Sequence, residues 1–130
     1  MKANELRIGN LIIGTNVYEG KVLTFERFNS DLDVVFFSNG SKWDCGEFIE
    51  DIKPIQLTEE WLFKFGFKKS NVYCFGNHKL IIESLMGDRH SCRYRVNPDE
   101  SIWISELHYV HQLQNLYCAL TGEELTFKSE

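Results

Sequence analysis

Between residues 107 and 121 the chain carries no Asp, Glu, Lys or Arg: the run reads LHYVHQLQNLYCALT and stops at Gly122. Solvated helix surfaces normally carry charge, so a helix here is either nearly buried or reserved for contact with a partner. Catalytic signatures are missing as well. There is no Walker loop, no G-x-G-x-x-G, no H-E-x-x-H and no G-x-S-x-G, which removes the common sequence signals for nucleotide, dinucleotide, zinc-peptidase and serine-hydrolase chemistry. The four cysteines, Cys45, Cys74, Cys92 and Cys118, show no Cys-x-x-Cys spacing. Reduced, mostly buried thiols are expected of them. No apolar run approaches the roughly 20 residues of a membrane span. The first residues, MKANELRIGNLII, are polar and charged where a signal peptide needs an apolar stretch. The expectation is a cytoplasmic protein with no membrane contact.

What the chain does hold is ordinary in bulk. It has 130 residues, 43% of them hydrophobic and 25% charged, which fits one compact domain or two small ones sharing a core. Aromatics are plentiful, with ten Phe, five Tyr and three Trp. Flat rings fill the thin core of a protein built from short strands. The net charge of −5 hides a segregation. Residues 64–95 carry seven bases (Lys64, Lys68, Lys69, Lys79, Arg89, Arg93, Arg95) against Glu83 and Asp88, whereas 96–130 carry six acids and one base. Such a basic stretch either faces nucleic acid or forms an outer strand face neutralised by acidic neighbours.

The N-terminal part reads as short strands at 8–13, 22–28, 32–37, 42–45 and 48–52, separated by turns at 18–21, 29–31 and Ser38-Asn39-Gly40. Asn-Gly accepts the positive φ of a tight hairpin. Within 22–28 the alternation puts Val22, Thr24, Glu26 and Phe28 on one side and Leu23, Phe25 and Arg27 on the other. Strands this short and close together predict a small SH3-like barrel or half-barrel over residues 1–54.

Residues 55–130 predict helix, four-strand antiparallel meander, helix. The first helix has Thr58 as N-cap, Glu59 and Glu60 at its positive end, and a staple between Leu57 and Leu62. Gly66 sits at the left-handed C′ position, with Phe67 packing back on Leu62. Strands follow at 72–75, 78–85, 92–96 and 101–104, with turns at Gly76-Asn77, Gly87-Asp88 and Asn97-Pro98-Asp99. The predicted fold class is therefore α+β, an SH3-like β unit packed on an α-β-β-β-β-α unit. Nothing between 48 and 57 is rich in Gly or Ser, so the two are expected to share one core through Trp61, Phe63 and Phe65 rather than hang on a linker.

Three phrases together, ELRIGN at 5–10, PIQLTEEWLFKFGF at 54–67 and YVHQLQNLYCALTGEEL at 109–125, resemble a family of small prophage and mobile-element proteins of gut bacteria. The resemblance runs through nearly the whole chain in order and spacing. It implies an origin and a size class; the family has no assigned activity, so no mechanism carries over. Residues 71–100 contain no phrase of that family.

Candidate sites divide by chemistry. On a helical wheel the last helix separates an apolar arc (Tyr109, Val110, Leu113, Leu116, Tyr117, Leu120) from a stripe of His108, His111, Gln112 and Asn115. Imidazoles and amides exchange hydrogen bonds without the desolvation cost of full charge, which suits an interface with a protein or a second copy of the chain, or base and sugar contacts in a nucleic acid; the same side chains could instead tie down loops within the fold. His111 and Cys118 lie about 10 Å apart along the helix, whereas direct proton transfer needs roughly 3 Å, so they form no dyad. Cys74 and His78, with His90 and Cys92, are ligand types that zinc accepts, but one pair straddles a turn and neither has knuckle spacing. No catalytic residue, metal or cofactor is expected. The expected function is a non-catalytic binding module of a mobile element acting by protein–protein contact. The alternative is a nucleic-acid-binding accessory protein using Lys68, Lys69, Lys79, Arg89, Arg93 and Arg95.

Overall fold

Two five-stranded antiparallel sheets and two helices make up the described residues, an α+β protein as expected. The computed structural model describes residues 5–16, 19–38, 45–71, 74–84 and 89–125. The chain divides into two compact units, Met1–Ile55 and Gln56–Glu130.

The first unit contains β1 (Leu11–Gly14), β2 (Val22–Asn29), β3 (Val34–Ser38), β4 (Cys45–Phe48) and β5 (Ile52–Pro54), ordered β4-β3-β2-β1-β5. A single 3-10 turn, Ile49–Asp51, joins β4 to β5. Ile12, Leu23, Phe25, Val35, Phe37 and Ile52 form its core, with Leu6, Phe28 and Ile49 packed against them.

Three expectations shift here. The first strand starts at Leu11 rather than at residue 8, because the chain turns at Ile8 and Gly9 and leaves Ile8 exposed. The third starts at Val34 rather than at residue 32: Asn29 Oδ1 accepts from the amides of Asp31 and Leu32, which closes a turn and exposes Leu32. A bulge in β2 between Phe25 and Arg27 reverses the predicted alternation after Phe25. Phe28 therefore packs on the core, and the exposed Arg27 lays its guanidinium 4.1 Å from the centre of the Phe36 ring. The predicted Asn39-Gly40 hairpin and most of the predicted 42–45 strand lie outside the described residues, as does the Gly87-Asp88 turn.

The second unit begins with α1 (Glu59–Lys64), whose ends follow the written signals. Thr58 Oγ1 accepts from the Trp61 amide, and Gly66 adopts φ +87°. The amide of Phe67 donates to the Leu62 carbonyl and that of Gly66 to Phe63, both at 3.0 Å, the paired bonds of a Schellman ending. Leu57, Leu62, Phe65 and Phe67 are buried. Phe63 is not: it is half exposed, edge-on to Phe75. Trp61 is only partly buried, between the Phe65 ring and the Lys64 ammonium.

Five strands follow rather than four: β6 (Lys68–Asn71), β7 (Cys74–Gly76), β8 (Leu80–Ser84), β9 (His90–Asn97) and β10 (Glu100–Leu107), a simple meander ordered β10-β9-β8-β7-β6. The added strand, KKSN, has no apolar alternation because it is an edge, where lysines discourage pairing with other chains. On one sheet face Phe75, Leu80, Ile82 and Cys92 are fully buried, and Leu107 nearly so. His90 is buried on the same face. Its Nε2 donates to the Leu57 carbonyl at 2.8 Å while Nδ1 accepts from the Ser84 hydroxyl, pinning the entry to α1 onto β9.

The charge-free run is shared between elements: Leu107 ends β10, and α2 spans Val110–Thr121. Gln112 Oε1 accepts from the amides of His108 and Tyr109 at its start, and the left-handed Gly122 ends it. Val110, Leu113 and Tyr117 are buried as the wheel predicts, but Leu116 and Leu120 are only half-buried and Tyr109 is exposed. The polar His111 and Gln114 take buried places instead, a position that hydropathy does not assign them.

Candidate functional site

Cross-strand register decides which side chains share the other face of the second sheet. Lys68 pairs with Gly76, Gly76 with Ile81, Ile81 with Arg93, and Arg93 with Trp103, one row across all five strands. Residues directly opposite one another in a pleated sheet point the same way. Two residues along β9, Arg95 joins that face next to Ser101.

Gly76 leaves a gap in the row between Lys68 and Ile81. A cleft of about 460 Å³ opens there, lined by Lys68, Lys69, Gly76, Asn77, Ile81 and Arg95 among others. A neighbouring cleft of about 350 Å³ runs past Lys79, Arg95 and Asn97 to Pro98. No Asp or Glu appears among the described residues that line either one. A Cβ on residue 76 would stand 3.0 Å from Arg95 Nη2, so the bare glycine is what lets the guanidinium lie across the sheet.

The arginines are oriented by neutral oxygens. Arg95 Nε donates to the Asn77 carbonyl at 3.0 Å, and Asn77 is itself fixed because its Oδ1 accepts from the amides of Lys79 and Leu80. Arg93 donates through Nε to Ser101 Oγ and through Nη2 to the Ser101 carbonyl. Neither guanidinium makes an ion pair among the described residues, and Lys68 and Lys79 make none either. Bulk charge is therefore held in place without being neutralised.

The six basic candidates are thus not equivalent. Lys68, Lys79 and Arg95 line the two clefts, and Arg93 lies on the same face in register with Ile81. Lys69 lies at the lip with its ammonium 3.8 Å from Glu59 and near the Phe75 ring. Arg89 sits at the far end in a 2.7 Å ion pair with Glu106. That contact holds the Glu106 carboxyl below its usual range and raises Arg89, through the hydrogen bond first and charge second.

The stripe on the last helix does not form one exposed surface. His111 is 3% exposed and stacked on Tyr109 at 5.8 Å, Gln112 caps the helix, and Asn115 is half-buried; His108 alone is open to solvent, 3.9 Å from Glu106. The four possible metal ligands are dispersed as well. Cys74 shares its register with Glu83 and Ser91, whereas Cys92 shares the alternate, buried register with Ile82. Cys92 is wholly buried, and burial pushes its thiol up to about 11. His90 is already bonded on both nitrogens, and no group of three metal-ligating side chains occurs among the described residues.

Gly76, Asn77, Ser101 and Trp103 are the residues of this face that sequence reading missed. The i, i+2 spacing of Arg93 and Arg95 in a strand was the available signal, since it puts both on one face. No helix of the described residues is long and apolar enough to cross a membrane. No family model, curated protein or solved structure matches the chain.

Proposed function

We propose that the protein is a non-catalytic binding module whose second unit holds nucleic acid by its phosphates on the outer face of the β6–β10 sheet. The observation that carries this reading is the pair Arg93 and Arg95, ordered by carbonyl and hydroxyl oxygens beside Lys68 and Lys79, with no ion pair at any of the four among the described residues. Arg89, by contrast, is matched to Glu106. Guanidinium groups suit bidentate contact with phosphate.

Of the two partner classes expected from the sequence, the basic face favours nucleic acid. His111 and Gln112 serve the fold, so little of the proposed protein-binding stripe is left for a partner. The first unit fits the reading as an SH3-like half-barrel, supported by its strand order and by the 3-10 turn between β4 and β5. With the resemblance to prophage proteins, the whole describes a small cytoplasmic accessory protein of a mobile element.

A mobility-shift assay tests this. At low salt the wild-type chain retards a short oligonucleotide with a Kd on the order of 10⁻⁴ to 10⁻⁶ M, typical of contacts to the backbone alone. The Lys68→Glu/Arg95→Glu variant abolishes the shift at unchanged melting temperature. Equal retardation by both proteins, or none by the wild type, would overturn the reading.

A further inference from the structure

The basic row ends on Trp103, a residue with no part in the reading so far. It lies 57% exposed on β10, in register with Arg93 and on the same sheet face. Its Nε1 donates to Ser91 Oγ at 2.8 Å. That bond uses the only polar atom of the indole, so the ring is oriented on the sheet and has an apolar π surface to offer. An exposed Trp is expensive in solubility, and one held in place by a hydrogen bond is already ordered before any partner arrives.

Resting on the nucleic-acid reading above, we infer that the ligand is a single strand, laid across the sheet with a base stacked on Trp103 and its backbone running over Arg93 toward the Gly76 cleft. Three considerations lead there. A row across five strands spans about 19 Å, too broad for the major groove of a duplex at about 12 Å, which admits a helix or a two-stranded ribbon. Bases inside a duplex keep their π faces covered, whereas those of a single strand are free to stack on an aromatic side chain. From β10 to β7 the path covers three strand spacings, about 14 Å, and passes Arg93 before it reaches the Gly76 cleft, which Lys68 and the guanidinium of Arg95 line, so stacking and phosphate contacts follow one direction across the sheet. Stacking reads no hydrogen-bond pattern, so binding is tolerant of sequence.

Fluorescence anisotropy with a short labelled oligo(dT), alone and annealed to oligo(dA), separates this inference from the reading beneath it. The single strand binds more tightly than the duplex. Trp103→Leu weakens the single strand by about tenfold, leaves the duplex and the melting temperature nearly unchanged, and removes the quenching of tryptophan emission on binding. Equal affinity for both forms with no effect of Trp103→Leu would overturn the stacked single strand and leave the basic face standing. Failure of the wild type to bind either form would remove both.

Discussion

At the scale of single residues, the site depends on an absent side chain. Gly76 is not in a left-handed conformation; its role is to leave room, since a methyl there would meet the end of Arg95 at 3.0 Å. Because the obstructing atom belongs to a flexible side chain, Gly76→Ala should displace Arg95 rather than unfold the sheet. Oligonucleotide affinity is then expected to fall about as far as in Arg95→Gln, with the urea midpoint little changed; a loss of stability with affinity retained would contradict this role. Lys79→Gln should lower the slope of log K against log salt concentration by about 0.7 on a single strand, the loss of one phosphate contact. Cys92 makes a different prediction. Burial raises its thiol from 9.0 to about 11, so the folded state binds that proton more tightly than the unfolded chain does. The corresponding stability is present below the ordinary thiol value and is lost as pH rises through the folded one. Melting temperature should therefore drop more steeply between pH 9 and 11 in the wild type than in Cys92→Ala, and parallel curves would contradict the burial account.

Among the elements, α1 was the most legible in the sequence, because its signals are local. Thr58, Leu57, Gly66 and Phe67 act within a few residues of one another, and each takes the place its chemistry requires. Replacing Thr58 with Ala should cost about 1 kcal/mol in urea denaturation, and a change near zero would show that the cap contributes nothing. The strands were legible where apolar alternation ran unbroken, as at Leu23 and Phe25 or Leu80 and Ile82. β6 was missed because an edge strand of Lys, Lys, Ser and Asn carries no such pattern, and Phe28 and Arg27 were misplaced because a bulge is set by the partner strand rather than by propensity. The stripe on α2 is divided between buried, capping and exposed places for a related reason. A wheel separates polar from apolar residues, but only tertiary packing buries a histidine or turns a glutamine back to cap its own helix.

For the whole molecule, an acidic chain carries a cationic face because the charges are sorted by sheet face and by end. Residues 91, 93 and 95 alternate onto one face of β9; Arg89, just before the strand, pairs with Glu106, whereas Arg93 and Arg95 make no ion pair among the described residues. The basic segment was visible in the sequence; which of its charges were neutralised was not, since Glu59 and Glu106 reach Lys69 and Arg89 only through the fold. The first helix and the buried residues of β7, β8 and β9 belong to the opposite side of this sheet, where Phe63 meets Phe75 and His90 holds Leu57. The most direct measurement is an amide-resolved NMR titration of the full chain with oligo(dT) at low salt. The account predicts shift changes concentrated at residues 68–70, 76–81, 93–95 and 101–103, fading as salt is raised; changes confined to α2 or to Met1–Ile55, or no changes at all, would contradict it.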